Sequence, residues 1–289
     1  MEKKYLRYKV DGSKKISLKG FETRDKGSYD NKEEGLKKLE ENKLEIIELQ
    51  NKLYAQNEYA LLIIFQALDA AGKDSAIKHV MSGVNPQGFQ VYSFKAPSNE
   101  ELEHGYLWRT SKALPERGRI GIFNRSYYED VLVVKVNNLI KNQNLPKDRH
   151  YDDIWLKRYR QISEHERYLF ENATIPIKFF LNVSKDEQKE RFIARIDNPS
   201  KNWKFAKADI DTRAYWNDYQ DAYETAINHT ATKDAPWYVI PADRKWYARL
   251  LISEIILDEM KKLNLQYPRL NQKEIEALQG YKIQLLDEK

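Results

Sequence analysis

The chain has 289 residues, 41% of them hydrophobic and 32% charged, and 49 Lys and Arg against 44 Asp and Glu leave a net charge of +5. That apolar share supports a folded core, and with no Cys in the sequence a disulfide framework, a zinc-thiolate site and a cysteine nucleophile are all excluded. No apolar run approaches the roughly 18 residues that span a bilayer, and the first ten residues, MEKKYLRYKV, lack the apolar stretch of a secretory signal. A cytoplasmic protein without a membrane partner is therefore expected.

Residues 1–30 are polar and glycine-bearing and read as an irregular N-terminal arm. Over 31–57, Leu36, Leu39, Ile46, Ile47, Leu53 and Tyr54 recur near a period of 3.6, which predicts a helix. The pattern then changes to YALLIIF at 59–65, a short continuous apolar run expected of a strand buried on both faces. A helix follows through Val80. Further strands are predicted at 89–94 (FQVYSF), 120–123 (IGIF), 177–183 (IKFFLNV) and 237–240 (WYVI). Helical patterns over 99–114, 126–140, 151–172, 184–196, 209–229 and 243–263 separate or follow them. This alternation marks an α/β fold: a doubly wound parallel sheet of about five strands flanked by helices, in one domain over 1–289. In such sheets ligands bind at the carboxyl ends of the strands. Residues 197–208 form a basic loop between two helices and, with their flanks over about 184–213, read as a lid module. Residues 264–289 are a C-terminal extension whose Leu278, Ile283, Leu285 and Leu286 pack on the body or on a partner subunit.

Charge is unevenly spread. Residues 109–125 carry Arg109, Lys112, Arg117, Arg119 and Arg125 against Glu116, and residues 189–207 carry six basic residues against Glu190 and Asp197. Two basic stretches on a near-neutral body suit a polyanion held at defined places, although solvated helix faces give the same pattern.

The strongest local motif is Ala67-Leu68-Asp69-Ala70-Ala71-Gly72-Lys73-Asp74. It follows a strand and opens a helix, the context of a phosphate loop. Small residues let backbone N–H groups approach phosphate oxygens, the helix N-terminus adds partial positive charge, and Lys73 adds a full one. A strict Walker A motif has Gly at position 67 and Ser or Thr at position 74. Asp69 inside the loop would repel phosphate unless it held a cation, for which Mg²⁺ is the natural bridge. A second constellation, Gly118 to Glu129, ends an apolar strand in Asn124-Arg125 before a helix begins. It sets an amide and a guanidinium at the carboxyl edge of a neighbouring strand. No paired His, Gly-x-Ser-x-Gly or Gly-x-Gly-x-x-Gly occurs, which argues against a His-metal site, a hydrolase elbow and a Rossmann site. Tyr215, Tyr219, Ala222 and Ala226 share a helical spacing and are expected in the core, whereas Trp203 lies in the basic loop.

FQALDAAGKD (65–74), NPQGFQV (85–91), RIGIFNRSYYEDV (119–131) and NWKFAKAD (202–209) together closely resemble the family-2 polyphosphate kinases, in order from about residue 10 to 265. The resemblance implies a P-loop kinase fold like that of thymidylate kinases, with a helical lid. It implies phosphoryl transfer between inorganic polyphosphate and nucleotides, AMP to ADP and ADP to ATP, reversibly and with Mg²⁺ or alternatively Mn²⁺. Asp69 and Lys73 match the family's Walker A acid and lysine, and Asn124 and Arg125 its Walker B position, where many members carry Asp-Arg. Arg191 and Arg195 fall near its lid arginines. Ala67 and Asn124 in place of Gly and Asp look like the subgroup that phosphorylates both AMP and ADP.

On this basis Asp69, Lys73, Asn124 and Arg125 are the expected catalytic residues. Ala70, Ala71, Gly72, Lys73, Asp74, Arg119, Arg191, Arg195 and Lys204 are expected to bind phosphate or polyphosphate, and Asp69, with Asn124 beside it, to hold the metal. The expected partners are polyphosphate, adenine and alternatively guanine nucleotides, and further copies of the chain, with no nucleic acid. The rival readings are an ATP-dependent nucleoside or nucleotide kinase of the same fold and, further off, a nucleic-acid binder.

Overall fold

The computed structural model describes residues 4–288; the first three residues of the arm and the last of the extension lie outside them. Helix α1 (Lys32–Gln56) starts where the Asn31 side chain accepts from the Glu34 N–H at 2.9 Å. It stops where Asn57 turns left-handed, at φ 54°. It feeds β2 (Ala60–Gln66), every residue of which is buried. Next come α2 (Lys73–Val80), β3 (Phe89–Ser93), the short α3 (Asn99–Leu102) and α4 (Trp108–Ser111), and β4 (Ile120–Asn124). The second half runs α5 (Val133–Val136), α6 (Ile154–Glu171), β5 (Thr174–Asn182), α7 (Lys185–Ile196), α8 (Lys207–Ala214), α9 (Trp216–Thr230), β6 (Trp237–Pro241), α10 (Lys245–Lys262) and α11 (Gln272–Asp287).

The sheet order is β1-β6-β5-β2-β4-β3, with β1 (Lys9–Val10) antiparallel to β6 and every other pairing parallel. The sheet therefore has six strands rather than about five, because the arm contributes a two-residue edge strand. The arm is not irregular throughout: Tyr8 donates to Asp25 at 2.6 Å and lies against Tyr247, seating it on α10. Leu61, Ile63 and Phe65 of β2 face a core shared with α1, α2 and α10, while Leu62 and Ile64 face one shared with α6 and α9. Helix α1 lies close to α10 at Gly35, where a Cβ would meet the Trp246 ring at 2.4 Å. The central parallel pairs aim the carboxyl ends of β2 and β4 at the same edge, and the site is built there.

Three predicted helices are shorter than their patterns. The 99–114 stretch divides around Gly105 into α3 and α4. The 126–140 stretch holds Val131, Val133, Val134 and Val136, whose β-branching disfavours helix, and only α5 and flanking 3₁₀ turns form. The 209–229 stretch breaks at Tyr215 into α8 and α9. Tyr215 is exposed, against the expectation that it joins the core stripe; Tyr219, Ala222 and Ala226 are buried as expected.

Candidate active site

Two turns leave adjacent strands at the carboxyl edge. After β2 the chain passes through residues 67–72, where Ala70 is left-handed at φ 61° and Gly72 sits at φ 111°, a conformation that suits glycine. Lys73 then opens α2. Its side chain is buried, and its ammonium donates to the Ala67 carbonyl at 2.8 Å, folded back over the loop. Burial lowers the Lys73 pKa below the ordinary lysine value, and Asp69 opposes the shift.

After β4, Asn124 donates to the Asp74 carboxylate at 2.8 Å, which joins the two turns. A carboxylate at position 124 would face Asp74 with like charge; the neutral amide bonds to it instead. Arg125 is left-handed at φ 64° and donates to Asp69 at 2.7 Å and to Glu129 at 3.4 Å. Burial works against the Arg125 charge, but Glu129 and Asp69 outweigh it and raise its pKa above the ordinary arginine value.

A groove of about 900 Å³ runs over these residues, walled further by Lys78, Arg195, Lys201, Trp203, Lys204 and Lys245. Trp203 is 77% exposed, with the Lys204 ammonium 4.9 Å from its ring centre. Asp209 also lines the groove; burial raises its carboxyl pKa and the nearby Asp69 adds to the rise. On the far side of Arg125 lies a second cavity of about 530 Å³ with apolar walls including Phe94, Leu102, Val133 and Leu145 and polar groups from Arg109, Glu129 and Asp130. Arg125 belongs to the wall of both.

Two expected phosphate ligands are placed differently. Arg119 precedes β4 and so lies at the amino edge of the sheet, opposite the site, with its guanidinium 4.0 Å from the Tyr54 ring centre. It is corrected to a surface packing residue. Arg191 is buried behind the phosphate loop. It donates to the carbonyls of Ala70 (3.0 Å), Ala71 (2.7 Å) and Ala242 (2.6 Å) and to Glu187 (2.9 Å). It lines the groove as well, but its donors are spent on backbone carbonyls and on Glu187, so it is placed as a prop of the loop rather than on a lid. Arg195, one turn further along α7, reaches the groove. Lys78, Lys201, Lys245, Glu129 and Asp209 were not singled out as site residues; all but Lys245 lie within or just beside the quoted motifs, and Lys245, which opens α10, carries no such signal.

Of the three carboxylates that line the groove, Asp69 and Asp74 belong to the phosphate loop and the helix it opens, and among the described residues no cluster of three or more His, Cys, Asp or Glu is arranged to cage a metal. That donor set fits Mg²⁺, which takes one or two carboxylates and completes its shell with phosphate oxygens and water.

The family described as Polyphosphate kinase 2 (PPK2) matches residues 29–268. An ADP-polyphosphate phosphotransferase of Rhodopseudomonas palustris is 48% identical over 270 residues, 93% of each chain. An AMP/ADP-polyphosphate phosphotransferase of Meiothermus ruber is 44% identical over 264 residues, 91% of this chain and 95% of that one. Among solved structures, Polyphosphate Kinase 2 from Arthrobacter aurescens TC1 superposes with a TM-score of 0.87 at 39% identity, covering 96% of both chains.

Proposed function

The chain belongs to the polyphosphate kinase 2 family and phosphorylates nucleotides with polyphosphate, and we propose that it does so at Arg125, taking both AMP and ADP as acceptors. One observation carries this reading: Arg125 walls both the basic groove and the apolar-walled cavity. The groove suits a polyanion, with Lys73, Arg195, Lys201 and Lys204 along it. The cavity has the size and the apolar walls of a nucleotide site. A phosphate of each substrate then meets at one guanidinium. The ATP-dependent alternative is not favoured, since the relatives are named for polyphosphate.

The chemistry asks for positioning and charge neutralisation rather than a protein nucleophile. Lys73 and the N–H groups of residues 70–74 hold the donor phosphates. Arg125 draws charge from the transferring phosphoryl group, and Glu129 and Asp69 fix its fork. The acceptor's terminal phosphate oxygen forms the new P–O bond as the donor's bridging P–O bond breaks, and the shortened polyphosphate leaves with the electron pair. Asp69, with Asp74 and Asn124 beside it, would hold Mg²⁺ or alternatively Mn²⁺, which neutralises phosphate charge when bound. Guanine nucleotides as further acceptors, self-association through the exposed apolar residues of α11, and a cytoplasmic place belong to the same proposal. No described helix is long and apolar enough to cross a membrane.

The test incubates the protein with polyphosphate, Mg²⁺ and AMP or ADP and resolves the products by chromatography. ADP and ATP from AMP, and ATP from ADP, are expected, with both lost on chelation by EDTA. Strict dependence on ATP as donor would overturn the reading.

A further inference from the structure

On the α6 and α9 side of the sheet the apolar core encloses a fully buried charged pair. Lys178, in the middle of β5, donates to Glu166 of α6 at 2.5 Å, and both side chains are almost wholly inaccessible to solvent. Lys178 also donates to the Thr230 carbonyl at 2.9 Å. The other oxygen of Glu166 accepts from two tyrosine hydroxyls, Tyr127 at 2.9 Å and Tyr128 at 2.8 Å. Tyr128 bonds further to Thr230 at 3.0 Å, whose hydroxyl also accepts from the Trp237 indole at 2.9 Å.

A pair this deep is a poor source of stability. Desolvating two charges offsets most of their attraction, and apolar residues of the same volume often serve as well. What this pair does uniquely is gather the hydroxyls of consecutive tyrosines onto one oxygen. Those tyrosines open the 3₁₀ turn Tyr127–Asp130, which follows Arg125 after the single N-cap residue Ser126. The turn is short, and Arg125 enters it in a left-handed conformation that an L-residue rarely adopts. Its cavity face presents Glu129 and Asp130, and its other face is the two tyrosines. On its cavity face Arg158 donates to the Asp130 carbonyl at 3.0 Å and Gln143 to the Asp130 carboxylate at 2.6 Å, which holds the far end of the turn; the tyrosines hold the end nearer Arg125.

We propose that Glu166, held by Lys178, is a positioning residue for phosphoryl transfer: through the hydroxyls of Tyr127 and Tyr128 it sets the orientation of the turn that carries Arg125. The inference rests on the reading of Arg125 given above. It assigns a function to residues that touch neither substrate, and it predicts an effect on turnover routed through one guanidinium.

The experiment is a cycle on the full-length protein, combining Tyr127→Phe/Tyr128→Phe with Arg125→Ala. Turnover is measured at saturating polyphosphate and ADP, with melting temperature recorded alongside. In the wild-type background the double Phe substitution is expected to lower kcat about tenfold or more, as misplacement of a charge-stabilising group does, with the KM for polyphosphate changed less than about twofold. In the Arg125→Ala background the same substitution is expected to change kcat less than about twofold, since the group it positions is gone. Equal losses in both backgrounds, or none in the wild type, would overturn the proposal. If Arg125→Ala alone keeps wild-type turnover, the reading of the site itself falls and takes the positioning role with it. Should the double variant fail to fold, Tyr127→Phe alone is taken through the same cycle, since it leaves Tyr128 and Lys178 on the carboxylate.

Discussion

The phosphate loop and the Arg125 turn leave neighbouring strands at one edge, yet they are held from opposite faces of the sheet and by different chemistry. The loop is held by its backbone. Arg191 takes the carbonyls of Ala70 and Ala71, Gln188 donates to the Asp69 carbonyl at 2.8 Å, and Lys73 takes that of Ala67. Drawing these carbonyls to cations and amides leaves the loop's N–H groups to face an anion. The Arg125 turn is held mainly through its side chains, two tyrosine hydroxyls on Glu166 and the Asp130 carboxylate on Gln143, with Arg158 adding a bond to the Asp130 carbonyl. The difference teaches that charge near a polyanion site divides into ligands and props, and that only burial and partners tell them apart. Substitutions that remove one kind and spare the other test this division.

The largest effect is expected from Lys73→Ala. Losing one preorganised donor to the transferring phosphates costs roughly 3 kcal/mol or more, which reads as a fall of about a hundredfold in kcat/KM. The melting temperature should not fall in parallel, because the fold keeps a buried ammonium there at a desolvation cost. A parallel loss of both would make Lys73 a prop.

Arg191→Ala and Arg195→Ala sharpen the same point one helical turn apart. Arg191 is buried and its removal strips carbonyls and Glu187 of their partner. Breaking such a buried set costs about 3–5 kcal/mol, so a large drop in melting temperature is expected. Lys at this position would not restore it, since an ammonium cannot span the Ala71 and Ala242 carbonyls as a planar fork does. Arg195→Ala should leave the melting temperature unchanged and raise the KM for long polyphosphate several-fold, with a weaker salt dependence. Equal behaviour of the two variants in calorimetry would erase the distinction between prop and ligand.

The pH dependence follows from Lys73. Burial lowers its pKa in the free protein, so it loses its proton at a lower pH than an ordinary lysine. The cation is the form that binds phosphate, so kcat/KM should fall as pH rises through that lowered value. The limb in kcat should lie higher, because bound phosphate favours the charged form. Stability moves the other way: between the folded and unfolded values the unfolded state holds more protons, so stability rises with pH. Lys178 contributes to stability with the same sign, its pKa also lowered by burial. The Lys73 share is therefore read as the difference from Lys73→Met.

How much of this was legible in the sequence depends on the residue. The central strands announce themselves as unbroken apolar runs, and the loop at 67–74 by its place between one of them and a helix. β1 carries no such signal: two residues of an edge strand find their partner more than two hundred positions away. The helix containing Arg191 is legible, but not which of its faces packs behind the loop. Lys178 was visible as a lone charge inside IKFFLNV, and a cation in a doubly buried strand requires a buried anion. Glu166, its partner, lies in a helix rich in Glu and Arg, where nothing in the spacing marks one carboxylate as buried.

The smallest effect is expected where the sequence was most misleading. Arg119 adjoins the motif that ends in Arg125, and one-dimensional proximity suggested a shared ligand. A strand separates them. The five residues of β4 rise about 3.3 Å each, which carries Arg119 to the opposite edge of the sheet, where its guanidinium lies over Tyr54. No reach of an arginine side chain brings it back around the sheet to the groove. Arg119→Ala should therefore leave kcat, the KM for polyphosphate and their salt dependence at wild-type values, with only a slight loss of thermal stability from the lost ring contact. A polyphosphate KM raised as far as that of Arg195→Ala would mean the polyanion wraps the sheet to its amino edge, and the groove over the phosphate loop would then be only one part of its track.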